Sequence, residues 1–536
     1  MPHDENKSSL PAMTRKSKLF IAAGVLLVAG ALGLYQLKGW ARYEAQVNRL
    51  ALDLGNPDAL IQTQALSHLP ADILAVPMLK DVLSEDFVFY YEQNEDRLSL
   101  SGSLRRIAYE HDMQWQDKLL AWVLDEPAQV AVWRDGKGAL SHYLVAVSRN
   151  ELARVVQSAV TLALKDSQLT KAVDLRVDGD DVPVLALRHG RDRTLLIASR
   201  GDRVVILSDP GMLLSDTDKA DPDSAAVLAK LLSGGKGDQD VLARVFDLPA
   251  GNPTHRIALS ASYLSFGYQR LFPALEAVRF DFADQHWSSA VRLQKGVRLA
   301  PEATARALPA RPAACAWLPV TWPKATPDAT HPPLPAMADT VAACWYGQSE
   351  LQMPLFAAEM AADGSAAGDE ALTKLFEWSL KGQDNPPADS RNDARLWQRR
   401  TDAVYGPRSE EEQPYYLPTL ARAQRIVLFS PDDRLVGRAL DTAGRRYPSV
   451  ADSLGNGNGT TLAFFTPAAL ASLTRKAVFA TLPRAEEPIL HDAAQTHLVP
   501  RLKALEKYPP VRLQLPGTAA AGGWQTIEWQ ILDKEP

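Results

Sequence analysis

The chain reads as an α+β protein: an N-terminal transmembrane helix followed by two tandem, internally duplicated units of mostly antiparallel sheet with packed helices. Three observations predict this. One uncharged apolar segment stands near the start, short β-rich runs alternate with a few helical patterns, and four sequence matches recur in the same order at similar offsets.

Leu19 to Leu37 (LFIAAGVLLVAGALGLYQL) is a 19-residue stretch without a charge. At about 1.5 Å per residue it reaches roughly 28 Å, one hydrocarbon core. Lys7, Arg15, Lys16 and Lys18 precede it. That basic flank places residues 1–18 in the cytoplasm and everything after Trp40 outside. Trp40 and Tyr43 suit the far interface, where amphipathic rings settle. A cleaved signal peptide is the alternative, with Ala29-Gly30-Ala31 as the cleavage site. Both readings send the bulk of the chain across the membrane. The expected location is the bacterial inner membrane, single-pass, with a periplasmic bulk and the lipid bilayer as partner of residues 19–37.

Residues 38–67 read as a helical spacer. The pattern is helical from Ala41 to Leu54 and breaks at Gly55, then Asn56-Pro57 reads as N-cap and first residue of a helix to about Leu66. Copy one is placed at 68–305 and copy two at 306–536. Leu69-Pro70-Ala71 matches Leu308-Pro309-Ala310, and Val130–Trp133 matches Ala342–Trp345. Arg203–Ser208 matches Arg425–Ser430, and Ile257–Leu264 loosely matches Leu462–Ala469. In copy one, Leu144–Ser148, Val182–Arg188, Thr194–Ser199 and Arg203–Ser208 read as strands, with helices over Asn150–Lys165 and Ala225–Leu232. In copy two, Met353–Met360, Arg425–Ser430 and Thr461–Thr466 read as strands. Helices are expected over Glu370–Lys381 and from Pro431-Asp432 to about Leu440.

The composition excludes several classes. The 536 residues are 46% hydrophobic and 23% charged, ordinary globular usage rather than a disordered or fibrous chain. Net charge is −6, and the part after Leu37 carries 54 Lys and Arg against 62 Asp and Glu, or −8. No basic run suits nucleic acid, so no nucleic-acid partner is expected. Cys315 and Cys344 are the two cysteines and bracket a proline-rich stretch. In an oxidising space a disulfide between them would close a loop worth about 3–4 kcal/mol; two buried free thiols in neighbouring strands are the alternative.

Catalytic motifs fail on context. Leu232-Ser-Gly-Gly-Lys236 lacks a phosphate-holding loop elsewhere, and its paired glycines disfavour the helix that a Ser-x-x-Lys site needs. No G-x-S-x-G or H-E-x-x-H occurs, and His491 and His497 are too far apart for one helix face. Asp178-Gly-Asp-Asp181 reads as a hairpin turn. No cofactor and no metal is expected. Two surfaces remain as candidates. Glu110, His111, Asp112, His142 and Asp209 are candidate linings of a cleft between the copies. Trp397, Tyr405, Tyr415 and Tyr416, set among charges, are a candidate partner surface.

Leu69-Pro-Ala-Asp-Ile-Leu74, Leu83–Tyr91 (LSEDFVFYY), Tyr109-Glu-His111, Val132-Trp-Arg-Asp135 and Ile206-Leu-Ser-Asp-Pro210 resemble a family of uncharacterised bacterial proteins, a domain of unknown function. The resemblance covers most of the chain after the anchor. It implies an N-terminal membrane anchor, a periplasmic location and a gene beside a bacterial alpha-2-macroglobulin, a protease trap and so a partner. It assigns no catalytic residue. The expected function is binding or scaffolding in the cell envelope, with a hydrolase or ligand-binding chamber as the alternative.

Overall fold

A computed structural model describes residues 50–82, 126–148, 169–215, 219–233, 241–264, 274–322, 332–361, 366–379, 389–402, 415–454, 459–482, 488–516 and 523–532, apart from breaks at 51, 67, 136–139, 190–192, 298, 333 and 392–393. The chain divides into two compact units. Unit 1 holds Met1–Leu264 and Arg279–Trp287; unit 2 holds Ser265–Val278 and Ser288–Pro536.

Unit 1 is built on β1 (Ala59–Thr63), β2 (Ala128–Arg134), β3 (Leu140–Ser148), β4 (Leu169–Val177), β5 (Asp180–His189), β6 (Arg193–Arg200), β7 (Arg203–Leu207) and β8 (His255–Ser260). Helices α1 (Leu69–Leu74) and α2 (Pro77–Val82) follow β1, α3 (Pro222–Ser233) follows β7 and α4 (Ala261–Leu264) follows β8. All pairings are antiparallel, in the order β8-β1-β2-β3-β7-β6-β5-β4. The β4–β5 turn places Asp178 and Gly179 at φ 48° and 94°. Two central residues with positive φ give the turn whose twist matches a hairpin, and a short acidic residue before glycine supplies it. The hairpin β9 (Leu275–Ala283) and β10 (His286–Leu293) contributes residues to both units.

In unit 2, α5 (Glu302–Ala307) precedes β11 (Ala314–Pro319), β12 (Met337–Trp345), β13 (Leu355–Met360) and α6 (Ala366–Ser379). Then come β14 (Asp389–Arg391), β15 (Ala394–Gln398), the two-stranded ribbon β16 (Thr401–Asp402) and β17 (Tyr415–Tyr416), β18 (Thr419–Ala423) and β19 (Ile426–Ser430). After α7 (Asp433–Ala443) and α8 (Val450–Leu454) come β20 (Gly459–Phe465), α9 (Pro467–Thr481), β21 (Val511–Pro516) and β22 (Gly523–Ile531). The order is β22-β21-β20-β11-β12-β13-β19-β18-β15-β14, again antiparallel. From β20 to β14 this path follows the same succession as β8 to β4 in unit 1.

The expected fold class is corrected on its helices. The protein is mostly antiparallel sheet, with twenty strands in extended pairing. Among the described residues only four α-helices reach eleven residues. No helix among them is long and apolar enough to cross a membrane, so the expected transmembrane helix is not an element of the described fold. Leu19–Leu37 and the expected helix over Asn150–Lys165 both lie outside the described residues. Nor do the helices keep to one face. In unit 2, α6 packs Leu372 and Phe376 on Leu420, Val427 and Trp397, while α7 packs Leu435, Val436 and Ala439 on Ala421 and Leu428. Residues 420 and 421 of one strand point to opposite sides, so both faces are covered.

The helix expected over Asn56–Leu66 is a second correction. Ala59–Thr63 is instead a strand paired on both sides, to β2 and to β8. Leu60 and Gln62 face one way and Ile61 and Thr63 the other, a period of two too short to recognise beside Asn56-Pro57.

Cys315 and Cys344 stand opposite each other in the β11–β12 register, joined by a disulfide, both buried. Their sequence separation is 29. Replacing both by alanine is expected to cost about 3–4 kcal/mol in the chain-entropy account, read as a lower urea midpoint at unchanged slope. An unchanged midpoint would show that the loop is constrained without the bond.

Candidate functional site

A cavity of about 680 Å³ lies in unit 1. Its floor follows directly from strand register. Arg256 of β8 is opposite Gln62 of β1, Gln62 is opposite Gln129 of β2, and Gln129 is opposite Ala146 of β3. Two residues on, Ser148 is opposite Arg203 of β7. Cross-strand partners share a face, so Arg256, Gln62, Gln129, Ala146 and Val205 form one row, polar on β8, β1 and β2 and apolar on β3 and β7, with Ser148 and Arg203 as a second pair two residues along. Two residues further along the strands the same face is apolar: Leu60, Ala131, Leu144 and Leu207 are all buried. Leu231 of α3 supplies a wall, and the segment from Ala243 to Pro253 supplies the roof.

The roof is pinned at one end. The Arg256 guanidinium donates through Nε to Asp281 Oδ1 at 2.7 Å and through Nη1 to the Pro249 carbonyl at 3.1 Å. The Gln64 amide donates to Asn252 Oδ1 at 2.5 Å. Gly251 turns the segment at φ 133°, a conformation that L side chains rarely adopt. At the far end Arg203 is 14% exposed, 3.9 Å from Asp202, and its buried Nε has no hydrogen-bond partner. Arg244 adds a third guanidinium to the lining, and Asp247 a carboxylate.

Unit 2 shows what the same position looks like when packed. Trp317, Ala342, Ala357 and Leu428 form the corresponding row on β11, β12, β13 and β19. All four unit 2 side chains are fully buried. The Trp317 indole, on the strand that corresponds to β1, donates to Thr304 Oγ1 at 3.0 Å.

A second polar cluster lies on the opposite face of the unit 1 sheet. Thr63 Oγ1 is 2.7 Å from His255 Nδ1, and His255 Nε2 is 2.7 Å from Asp72 Oδ2. The carboxylate only accepts, so Nε2 carries the proton and Nδ1 accepts from the threonine hydroxyl, a tautomer assigned from the partners. The order hydroxyl, imidazole, carboxylate is that of nucleophilic catalysis. Register decides against that use. Thr63 shares its face with Ala128 and His255, opposite to that of Gln62 and Gln129, and its buried oxygen already accepts the Ala65 N–H at 3.1 Å. Phe282 and Trp287 stack beside the imidazole, and the Trp287 indole donates to the Asp72 carbonyl at 2.8 Å. The cluster ties α1 to the sheet.

The residues singled out from sequence fall elsewhere. Glu110, His111, Asp112 and Tyr405 lie outside the described residues, as does the Tyr415 side chain. Ser208 and Tyr143 bond each other in both directions at the end of the β3–β7 ladder, so His142 and Asp209 flank that end. Asp209 caps the turn Pro210–Met212 by accepting from Gly211 N at 2.7 Å. Trp397 is corrected: it is core rather than partner surface, buried against α6 with its indole on Thr373 Oγ1. Tyr416 is half-buried in the β16–β17 ribbon. Sequence reasoning missed the cavity floor entirely, because Gln62, Gln129, Arg203 and Arg256 belong to strands far apart in the chain.

Comparison with known proteins follows from the whole chain. The profile of a family described as "Uncharacterized protein conserved in bacteria (DUF2138)" matches residues 17–529. "Uncharacterized protein YfaA" of Escherichia coli (strain K12) is 35% identical over 520 residues, covering 90% of this chain and 92% of that protein. A solved structure, crystal form IV of TP0453, is 6% identical and covers 45% of this chain and 80% of its own, with a TM-score of 0.20. At that score it carries no argument about fold.

Burial holds His255 below the ordinary imidazole value, against the upward pull of Asp72. The folded state therefore keeps the ring neutral while the unfolded chain takes up a proton as pH falls below about 6.5. Stability from this group is complete above that value and is lost as pH falls through it. The urea midpoint is expected to drop between pH 7.5 and 5.5, and His255→Gln to flatten that part of the profile. Parallel profiles for the two proteins would show the ring does not titrate differently on folding.

Proposed function

The chain belongs to the family of uncharacterised proteins conserved in bacteria, and from that membership we propose that it is a ligand-binding protein of the cell envelope, held at the inner membrane by Leu19–Leu37 with its cavity in unit 1 outside the cytoplasm. The observation that carries the binding role is the polar floor of that cavity. A sheet face under a helix is ordinarily apolar, and burying a guanidinium Nε–H without an acceptor, as at Arg203, costs free energy. Unit 2 fills the equivalent row with Trp317 and small apolar residues. Unit 1 keeps polar groups and open space there, which is the composition of a site rather than of a core.

Two features support the location. The basic residues before Leu19 favour an N-terminus in the cytoplasm. The Cys315–Cys344 bond belongs to an oxidising compartment.

Full-length protein purified from its bacterial membrane is expected to release a small molecule on denaturing extraction, seen by mass spectrometry. Gln62→Trp, which copies the plug of unit 2, should remove it without changing the melting temperature by more than a few degrees. Identical extracts from both proteins would sink the cavity reading. Alkaline phosphatase fused after Pro536 should be active, and deletion of residues 19–37 should abolish both that activity and recovery with membranes. An inactive fusion would place the bulk of the chain in the cytoplasm.

A further inference from the structure

We propose that the unit 1 cavity takes a short acidic peptide with a carboxylate seated on Arg203, an inference that rests on reading the cavity as a binding site. Charge is the first argument. Arg203, Arg244 and Arg256 face the cavity against one carboxylate, Asp247. Arg256 is already engaged by Asp281 and the roof carbonyl. Arg203 is not so engaged: Asp202 is at 3.9 Å, and its Nε–H is buried with no acceptor. A buried charged donor gains most from a charged acceptor, and the guanidinium fork suits a carboxylate.

Shape and chemistry narrow the rest of the ligand. The floor crosses β8, β1, β2, β3 and β7, four strand spacings of about 4.8 Å, or roughly 19 Å. An extended peptide at about 3.3 Å per residue fills that length with about six residues, so a tetrapeptide fits within it. Gln62 and Gln129 stand side by side in the middle of the row. Each side-chain amide carries both a donor and an acceptor, the complement of a peptide group. None of the described lining residues is aromatic, so the floor has no surface on which a base or sugar ring would stack. The pinned end at Arg256 and the Arg203 Nε–H without a hydrogen-bond acceptor give the site a direction, with the acidic group at the β7 end.

Detergent-solubilised full-length protein would be titrated, by fluorescence anisotropy, into fluorescein-labelled tetraglutamate and into its neutral counterpart, tetraglutamine. Tetraglutamate is expected to bind at least about tenfold more tightly, since charge-assisted hydrogen bonds are roughly twice as strong as neutral ones. Arg203→Gln should weaken tetraglutamate by about ten- to a hundredfold and leave tetraglutamine unchanged. Arg203→Lys, which keeps the charge but not the fork, should fall between. Gln62→Trp should abolish both. Equal affinity for the two peptides, or an Arg203→Gln protein that melts normally and binds tetraglutamate as before, would overturn the acidic-peptide assignment. If neither peptide binds while Gln62→Trp still removes a co-purified molecule, the ligand class is wrong and the cavity reading survives. If no molecule co-purifies either, both fail.

Discussion

Unit 1 depends on the double pairing of β1. Five residues, Ala59–Thr63, are held between β2 and β8 by antiparallel ladders on both edges. Successive side chains of a strand point to opposite faces. One residue, Gln62, therefore reaches the cavity while the next, Thr63, reaches the imidazole of His255 on the other side. A slip of one residue would exchange the two faces. It would drive a glutamine into the cluster of Ile61, Val130 and Ile257, and a threonine into the cavity. The buried Thr63–His255–Asp72 chain opposes such a slip, because its hydrogen bonds can be made in only one register.

The two units use one strand order for different ends. In unit 2 the row beneath α7 is closed: Trp317, Ala342, Ala357 and Leu428 are fully buried, the one polar atom among their side chains, the Trp317 indole N–H, is bonded to Thr304, and the Cys315–Cys344 bond clamps the neighbouring row. In unit 1 the matching row is polar on β8, β1 and β2, and the segment above it spans the gap instead of filling it. Interiors are close-packed, so a row that stays open beside fully buried Leu60, Leu144 and Leu207 marks where packing is given up. At one end the polar residues are held by the Arg256–Asp281 and Arg256–Pro249 bonds.

Electrostatics separate the cavity from the rest of the surface. The chain beyond the apolar segment is acidic overall, yet three guanidinium groups meet at this one place. A positive concavity in an acidic protein concentrates an anionic ligand locally while the remaining surface repels it. The hydroxyl–imidazole–carboxylate chain on the opposite face is a contrast in kind. Its groups are fully engaged with one another, and it serves the position of α1 rather than any ligand.

Much of the β framework was legible in the chain. Val182–Arg188, Thr194–Ser199 and Arg203–Ser208 are short β-rich runs between turn residues, and the structure has strands there because β-propensity and turn chemistry are short-range properties. Asp432 before Arg434 and Leu435 signalled a capped helix for the same reason. Family membership was legible because it too is carried by local strings such as Val132-Trp-Arg-Asp135. Tertiary structure alone decided the rest. Ala59–Thr63 is a strand only because two partners, from residues 128–132 and 255–259, close on it. Trp397, an aromatic among charges in sequence, is buried because α6 lies over it. Gln62, Gln129, Arg203 and Arg256 each look like the solvent side of a half-buried strand. They come together on one face only when antiparallel register aligns four distant segments.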